Sequence, residues 1–441
     1  MNFKLDELIY QSPECTGLNR EPNRSPLFPF KKESDARHAG QNRGPWYRTL
    51  NGDWKFNYYE KPQDIPENFM APSVNDSKWK TIDVPSCWDM RGYDYPHYTN
   101  AQMPWGELPP KVPAERNPTG IYRRTFDIPK NWAGRRILLH FDGVESCFAA
   151  YVNGTAAGMS KDSRGSTEFD VTELVRTGRN QITVLVIKWS DGTFIEDQDH
   201  WWHAGIVRSV YLYSTGKNHI ADVHVTATLD DTFENGLLKV DMQTGHPEKI
   251  DPENAPFLAV RVYDENDTLV FEQKQNCGKH PALEWGTADY RRIHTGLSGM
   301  IEKVHPWSAE IPSLYTLTVT LYDKKGKEQE AVSQRIGFRT VKVEKRQLLV
   351  NGQPVLICGV NRHEHDDLNG RTVSMELMRK DLVLMKQFNI NAIRTSHYPD
   401  APEFYDLCDE YGFYVIDEAN LECHAFYNDL TNNPAWTAAF R

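Results

Sequence analysis

A change of period near residue 350 constrains this chain more than any other feature. Before it, short runs alternate apolar and polar residues; after it, amphipathic segments of helix length separate short apolar runs. QPVLICGV (353–360) is continuously apolar, as in a strand buried on both faces. From Met375 to about Asn389 the pattern is helical. Met378, Leu382 and Met385 recur at i, i+4 and i+7, flanked by Leu377, Leu384 and Phe388, with Arg379, Lys380 and Lys386 facing out and Ser374 as N-cap. AIRTSH (392–397) is a second strand, a second helix runs from near Pro402 to a stop at Gly412, and FYVIDE (413–418) is a third strand. This β-α-β-α-β order predicts a parallel sheet with right-handed crossovers, the start of a (β/α)₈ barrel. Residues 341–441 are therefore expected to be a truncated barrel of three βα units. An open barrel exposes an edge strand and apolar helix faces, so this segment is expected to be unstable alone or to need a partner.

The residues before it read as mainly β. From about 46 to 215, the strands are DWKFNYY (53–59), GIYRRTFDI (120–128), RRILLHF (135–141), CFAAYV (147–152), QITVLVIKW (181–189) and VRSVYLY (207–213). Asn153-Gly154 supplies a type I′ turn, since both positions tolerate positive φ. Short strands, frequent turns and no long helix suggest a jelly-roll sandwich. From about 216 to 340, ADVHVTATL, LLKVDMQ, FLAVRVYD, LYTLTVTLYD and QRIGFRTVKV are spaced like strands of an immunoglobulin-like sandwich. Residues 1–45 are polar and Pro-rich: an arm laid on something else, such as a neighbouring subunit, or a disordered terminus.

A net charge of -11 argues against nucleic-acid or anionic-membrane binding through a basic surface. Seven cysteines, irregularly spaced and without Cys-x-x-Cys, read as reduced thiols. The N-terminus lacks a signal pattern and no apolar run approaches a membrane span, so a cytoplasmic protein is expected. Twelve Trp and twenty Tyr suit both sandwich cores and stacking against sugar rings.

In a (β/α)₈ barrel the working residues sit at the C-terminal ends of the strands. All three expected strands end in polar residues: the first in Asn361-Arg362-His363-Glu364-His365, the second in Arg394-Thr395-Ser396-His397, the third in Asp417-Glu418 followed by Glu422 and His424. This supports a hydrolase acting on a polar substrate. Two mechanisms compete. A carboxylate pair could cleave a glycosidic bond. Alternatively, His363-x-His365 could hold a hydrolytic metal, as in amidohydrolases. The upstream sandwiches favour the carbohydrate reading; a non-catalytic carbohydrate-binding remnant is a further alternative.

NAIRTSHYPDAPEFYDLCDEYGFYVIDE (391–418) resembles the signature of the glycoside hydrolases that include bacterial β-galactosidase, β-glucuronidase and β-mannosidase. LNGDWKFNYYEKP, VPSCWDMRGYDYPHYTN, KWSDGTFIEDQDHWWHAGIVRSVYL and LVNGQPVLICGVNRHEH resemble the β-galactosidase branch, as do HYTNAQMPW and DEANLECHA. The resemblance implies retaining hydrolysis of terminal β-D-galactosides such as lactose. It implies that Asn100 and Asp199 reach galactosyl hydroxyls, Asp199 also ligating Na⁺. It further implies that His363 and His397 stabilise the transition state and that Glu422 and His424 hold Mg²⁺. Glu364, His365, Asp417, Glu418 and Trp201 are expected to be structural or supporting residues. The family's acid/base glutamate follows barrel strand four and its nucleophile strand seven. Both are expected to lie outside this chain, making it inactive alone. The implied partners are a β-galactoside and either further copies of the chain in a homo-oligomer or a complementing chain carrying the rest of the barrel.

Overall fold

The computed structural model describes residues 7–40, 43–246, 255–277 and 292–441. Continuously buried strands govern the first unit. Its larger sheet centres on three long antiparallel neighbours, Cys147–Val152, Gly178–Ile187 and Thr119–Ile128, and continues through Gly52–Tyr59 to Lys80–Val84. The facing sheet orders Thr167–Asp170, Arg136–Phe141, Val210–Thr215 and Tyr47–Thr49. Between them Trp54, Phe56, Trp88, Tyr122, Phe141, Phe148 and Phe169 fill the core. Large rings here supply more buried apolar area per residue than any other side chain. Asn153 (φ 52°) and Gly154 (φ 84°) make the expected turn into the strand Thr155–Ser160.

The second unit packs a three-stranded sheet (His219–Leu229, Gly236–Gly245, Arg292–Ile301) on a four-stranded one (Leu269–Asn276, Phe257–Tyr263, Tyr315–Tyr322, Glu328–Ile336). One expectation fails here. QRIGFRTVKV is not a single strand: it breaks after Ile336, and Val341–Glu344 joins a separate small sheet with Gln347–Val350 and Gln353–Pro354. The break follows from packing. A Cβ at Gly337 would stand 2.7 Å from Cβ of Trp307, and Phe338 is fully buried, so the chain turns into the core at that point.

The barrel start carries a parallel sheet, Gly359–Arg362, Ala392–Thr395 and Tyr414–Ile416, with the second strand central. The helices are Met375–Gln387, whose Ser374 hydroxyl accepts from the Leu377 N–H, and Pro402–Tyr411, closed by Gly412 at φ 76°. A Cβ on Gly412 would meet the Ala309 carbonyl at 2.5 Å, so glycine serves both the left-handed conformation and the approach of the second sandwich. QPVLICGV is not the doubly buried strand its composition suggests. Residues 355–358 lie outside any strand, Leu356 is 80% exposed, and pairing resumes only at Gly359. Its one sheet neighbour is Ala392–Thr395, so nothing among the described residues covers its other side. Leu384, Phe388 and Ile416 are likewise exposed. Lys386 does not face solvent freely. Its ammonium donates to the carbonyls of Ala309 (3.0 Å) and Gly412 (2.5 Å), tying the helix to the second sandwich.

The N-terminal arm lies on this same chain. Gly17–Leu18 pairs with the first sandwich, Phe30 bridges to Ala331, and the helix Glu33–Arg37 is held by Thr318 and Ser333 of the second. All seven cysteines are free thiols.

Candidate active site

The C-terminal ends of the three parallel strands face the first sandwich, and hydrogen bonds clamp the two together. Arg208 donates to the buried Glu364 carboxylate (3.0 and 2.5 Å) and to the Pro399 carbonyl (2.6 Å). Arg371 donates to the Trp201 carbonyl and the Thr372 hydroxyl to that of Val207. On the third strand's side, Glu196–Asp197 pairs in parallel with Glu422–Cys423.

This clamp assembles a row of five imidazoles. Ring centroids run from His397 to His363 (5.6 Å), His200 (4.3 Å), His365 (5.0 Å) and His203 (5.7 Å). Two sandwich residues thus interleave with three barrel residues. Burial, then repulsion from His363 and His365, pushes His200 down to about 3; burial and His397 push His363 down to about 4. Both rings are therefore neutral near pH 7, each with one N–H to donate. His363 Nδ1 lies 3.3 Å from the Tyr398 hydroxyl.

His397 is oriented by Glu418, its Nδ1 2.8 Å from Oε2, while Arg394 holds Oε1 at 2.6 Å. Burial raises the Glu418 carboxyl, but His397 and Arg394 outweigh it and hold the group below its ordinary value. A carboxylate so held is a poor proton donor. Asp417 accepts from the Thr395 and Tyr405 hydroxyls (3.0 and 2.7 Å), and Glu364 is locked by Arg208 and the Ala401 N–H. Each of these acids is committed to the scaffold.

Asp199 and Asn100 come from adjoining strands of the first sandwich. His200–Trp202 pairs with His97–Thr99, placing Asp199 and Asn100 at the same end. Asn100 and Asp199 are both exposed, and Tyr98 donates to Asp199 at 2.7 Å. Trp201, expected to be a structural or supporting residue, is 43% exposed and packs on exposed Tyr98 with centroids 5.5 Å apart. The two rings form an apolar ledge beside Asp199. Sequence reasoning missed Tyr98 and His200; their signal is the HYT/HWW pair, whose strand pairing sets Tyr98 beside Trp201 and His200 beside Thr99, while His200 meets the barrel's His363.

Glu422 and His424 come together, Oε1 to Nδ1 3.8 Å, and that buried nitrogen has no hydrogen-bond partner. Asp197 sits beside them. Burial pushes its carboxyl up to about 6, with the Ala425 N–H and His424 opposing and Glu422 adding, and its Oδ1 is also unpartnered. Asp197 and His424 thus each leave one orphaned lone pair beside Glu422, and carboxylate and imidazole are donor types a divalent cation accepts. Neither this trio nor His363 and His365 forms a group of three close donors among the described residues.

Three descriptions tile the chain: glycosyl hydrolases family 2, sugar binding domain, over residues 47–216; glycosyl hydrolases family 2 over 218–339; and its TIM barrel domain over 341–439. The chain belongs to glycosyl hydrolases family 2. Among family relatives, the beta-galactosidase of Priestia megaterium is 40% identical over 424 residues, covering 95% of this chain and 40% of the relative. That of Alteromonas mediterranea is 38% identical over 440 residues, covering 98% and 41%. The chain thus spans about 40% of the length of these curated relatives. Among solved structures of the family fold, a beta-glucuronidase of Bacteroides uniformis superposes with TM-score 0.71 at 22% identity, covering 88% of this chain and 43% of that one. A beta-glycosidase of Bacteroides vulgatus gives 0.67 at 25% identity, covering 85% and 44%. Family membership makes this a glycoside hydrolase scaffold and displaces the amidohydrolase reading.

Proposed function

We propose that this chain carries the sugar-recognising part of a retaining β-galactosidase active site, acting on terminal β-D-galactosides such as lactose. The observation that carries this reading is the 4.3 Å contact of His200 with His363, where a sandwich loop bearing Asp199 meets the barrel's catalytic end. The naming of the relatives favours a galactoside over a glucuronide.

In this reading Asn100 and Asp199 hydrogen-bond galactosyl hydroxyls, and the Tyr98–Trp201 ledge stacks on the sugar face. His363 and His397 donate to hydroxyls most strongly in the transition state, which is where such bonds accelerate a reaction. Glu422 and His424 hold Mg²⁺, and Asp199 offers one hard carboxylate to Na⁺. A bound cation supplies positive charge that steadies developing negative charge nearby. The acid/base and nucleophilic glutamates, about 5–5.5 Å apart in retaining enzymes, belong to later barrel strands. A cytoplasmic homo-oligomer, or a complex with a complementing chain, is the assembly this implies. Among the described residues no helix is long and apolar enough to cross a membrane.

The test is hydrolysis of a chromogenic β-galactoside with Mg²⁺ and Na⁺, by the pure chain and by the chain mixed with a polypeptide carrying the remaining barrel strands of a relative. The expected result is turnover only in the mixture, and none with the matching β-glucuronide. Turnover by the 441-residue chain alone would overturn the residue roles.

A further inference from the structure

At the far end of the imidazole row, beyond the residues assigned to sugar or Mg²⁺, Cys87, Asp89 and His203 each bring one donor atom within 4.8 Å of the others, all three side chains buried. Among the described residues this is the one such group. Cys87 and Asp89 flank Trp88 at the start of the single-turn helix Trp88–Arg91, and His203 follows the strand His200–Trp202. Backbone bonds from Ser86 N to Ile206 O (2.8 Å) and Trp88 N to Ala204 O (2.9 Å) register the two segments, so the cluster is rigidly framed.

Several donors there are unsatisfied. His203 Nδ1 is 3.1 Å from Asp89 Oδ1, but His203 Nε2 and Asp89 Oδ2 have no hydrogen-bond partner. Lys188 stands 3.9 Å from Asp89 Oδ2, too far for a hydrogen bond, and gives its short contact (2.7 Å) to Asp94. His365, across the domain boundary with its ring 5.7 Å from that of His203, also has a buried Nδ1 without a partner. Buried polar atoms nearly always find partners, so two orphans within the cluster, beside one thiol, point to a missing ligand.

We propose that Cys87, Asp89 and His203 bind a divalent transition-metal ion of the zinc class. Zinc takes thiolate, imidazole and carboxylate donors at about 2.0–2.3 Å, and the three donor atoms here already lie within 4.8 Å of one another. A thiolate and a carboxylate neutralise a dication, so the loaded site buries no net charge of its own. Metal binding takes the thiolate form of Cys87, so a proton is released as the ion enters. All three donors belong to the first sandwich, Cys87 and Asp89 on one segment and His203 on the other. The ion therefore acts as a structural pin that fixes the segment carrying His200 and His203, and takes no part in chemistry.

The experiment uses the chelator-treated full chain titrated with Co²⁺ as a zinc substitute. A single equivalent is expected to give a thiolate-to-cobalt charge-transfer band that Zn²⁺ bleaches. Cys87→Ser abolishes the band; Asp89→Asn and His203→Ala weaken binding about tenfold or more; Cys423→Ser, beside Glu422 and His424, leaves it intact. Absence of the band in the unaltered chain, or its loss in Cys423→Ser with retention in Cys87→Ser, overturns the proposal. Should Cys87→Ser fail to fold, the unaltered chain and His203→Ala decide. Zn²⁺ raises the melting temperature of the first only, and an equal rise in both overturns the assignment.

Discussion

Replacing Arg208 with methionine should uncouple the barrel start from the first sandwich. The guanidinium is buried and makes two bonds to the Glu364 carboxylate, one to the Arg164 carbonyl (2.8 Å) and one to that of Pro399 (2.6 Å). Methionine fills most of the space but donates nothing, so a fully buried carboxylate is left with only the Ala401 N–H. Breaking a buried ion pair by removing one partner costs about 3–5 kcal/mol. At about 1.4 kcal/mol per decade, that lowers the equilibrium for keeping the interface closed by about two to four orders of magnitude. Hydrogen–deuterium exchange of the amides in residues 392–416 reads this directly, since their protection depends on the docked state. Arg208→Leu combined with Glu364→Leu should recover most of the loss, because the cost lies in the unpaired charge and not in the pair's net attraction. A fall in protection of less than about tenfold in Arg208→Met, or simple additivity of the two single changes, would refute the reasoning.

Lys161→Met should cost about 3 kcal/mol, the low end for a buried pair, and expose residues 9–18 to protease. Lys161 bonds Asp191 (2.6 Å) and the Ser12 carbonyl (2.8 Å), and the Asp191 carboxyl, already pushed up to about 6 by burial against the pull of Lys161, can then take up a proton; urea midpoints and limited proteolysis check both. Glu330 is raised by burial from 4.5 to about 7, against the N–H groups of Gly216 and Ile220 that it accepts from. The folded state binds the extra proton between those values, so this group's contribution falls by about 3 kcal/mol as pH rises from 4.5 to 7. Glu330→Gln should flatten that slope in pH-dependent denaturation; an unchanged slope would dismiss it. In the complemented enzyme, His363→Ala should lower kcat about a hundredfold. Because burial and His397 keep the ring neutral, with its transition pushed down to about 4, His363 should add no inflection to the pH–rate profile above pH 5.

The architecture was legible in the sequence because burial leaves periodic marks. Short apolar runs between turns placed Cys147–Val152, Thr119–Ile128 and Arg136–Phe141 nearly to the residue, and the i, i+4, i+7 stripe with its Ser374 cap placed Met375–Gln387. Strands without such marks were lost. Leu269–Asn276 lies at a sheet edge with no fully buried residue, so no alternating core face announces it. QPVLICGV misled because apolar character records a tendency to be covered, whereas coverage depends on neighbours; the first barrel strand has one sheet neighbour here and begins only at Gly359.

The polar strand ends told the sequence reader where chemistry could sit, since a barrel presents His363, His397, Asp417 and Glu418 at one face whatever their partners. Which of them are free to act was decided in three dimensions. Glu364 and Arg208 are 156 positions apart, and only their contact commits that acid to the scaffold. His200 and His363 are just as remote, and their rings meet because the strand pair HYT/HWW carries one domain's loop onto the other's sheet end. Local sequence records the propensities and periods of single elements. The contacts between domains depend on side chains far apart along the chain, and those were settled only when the two sandwiches and the barrel start packed together.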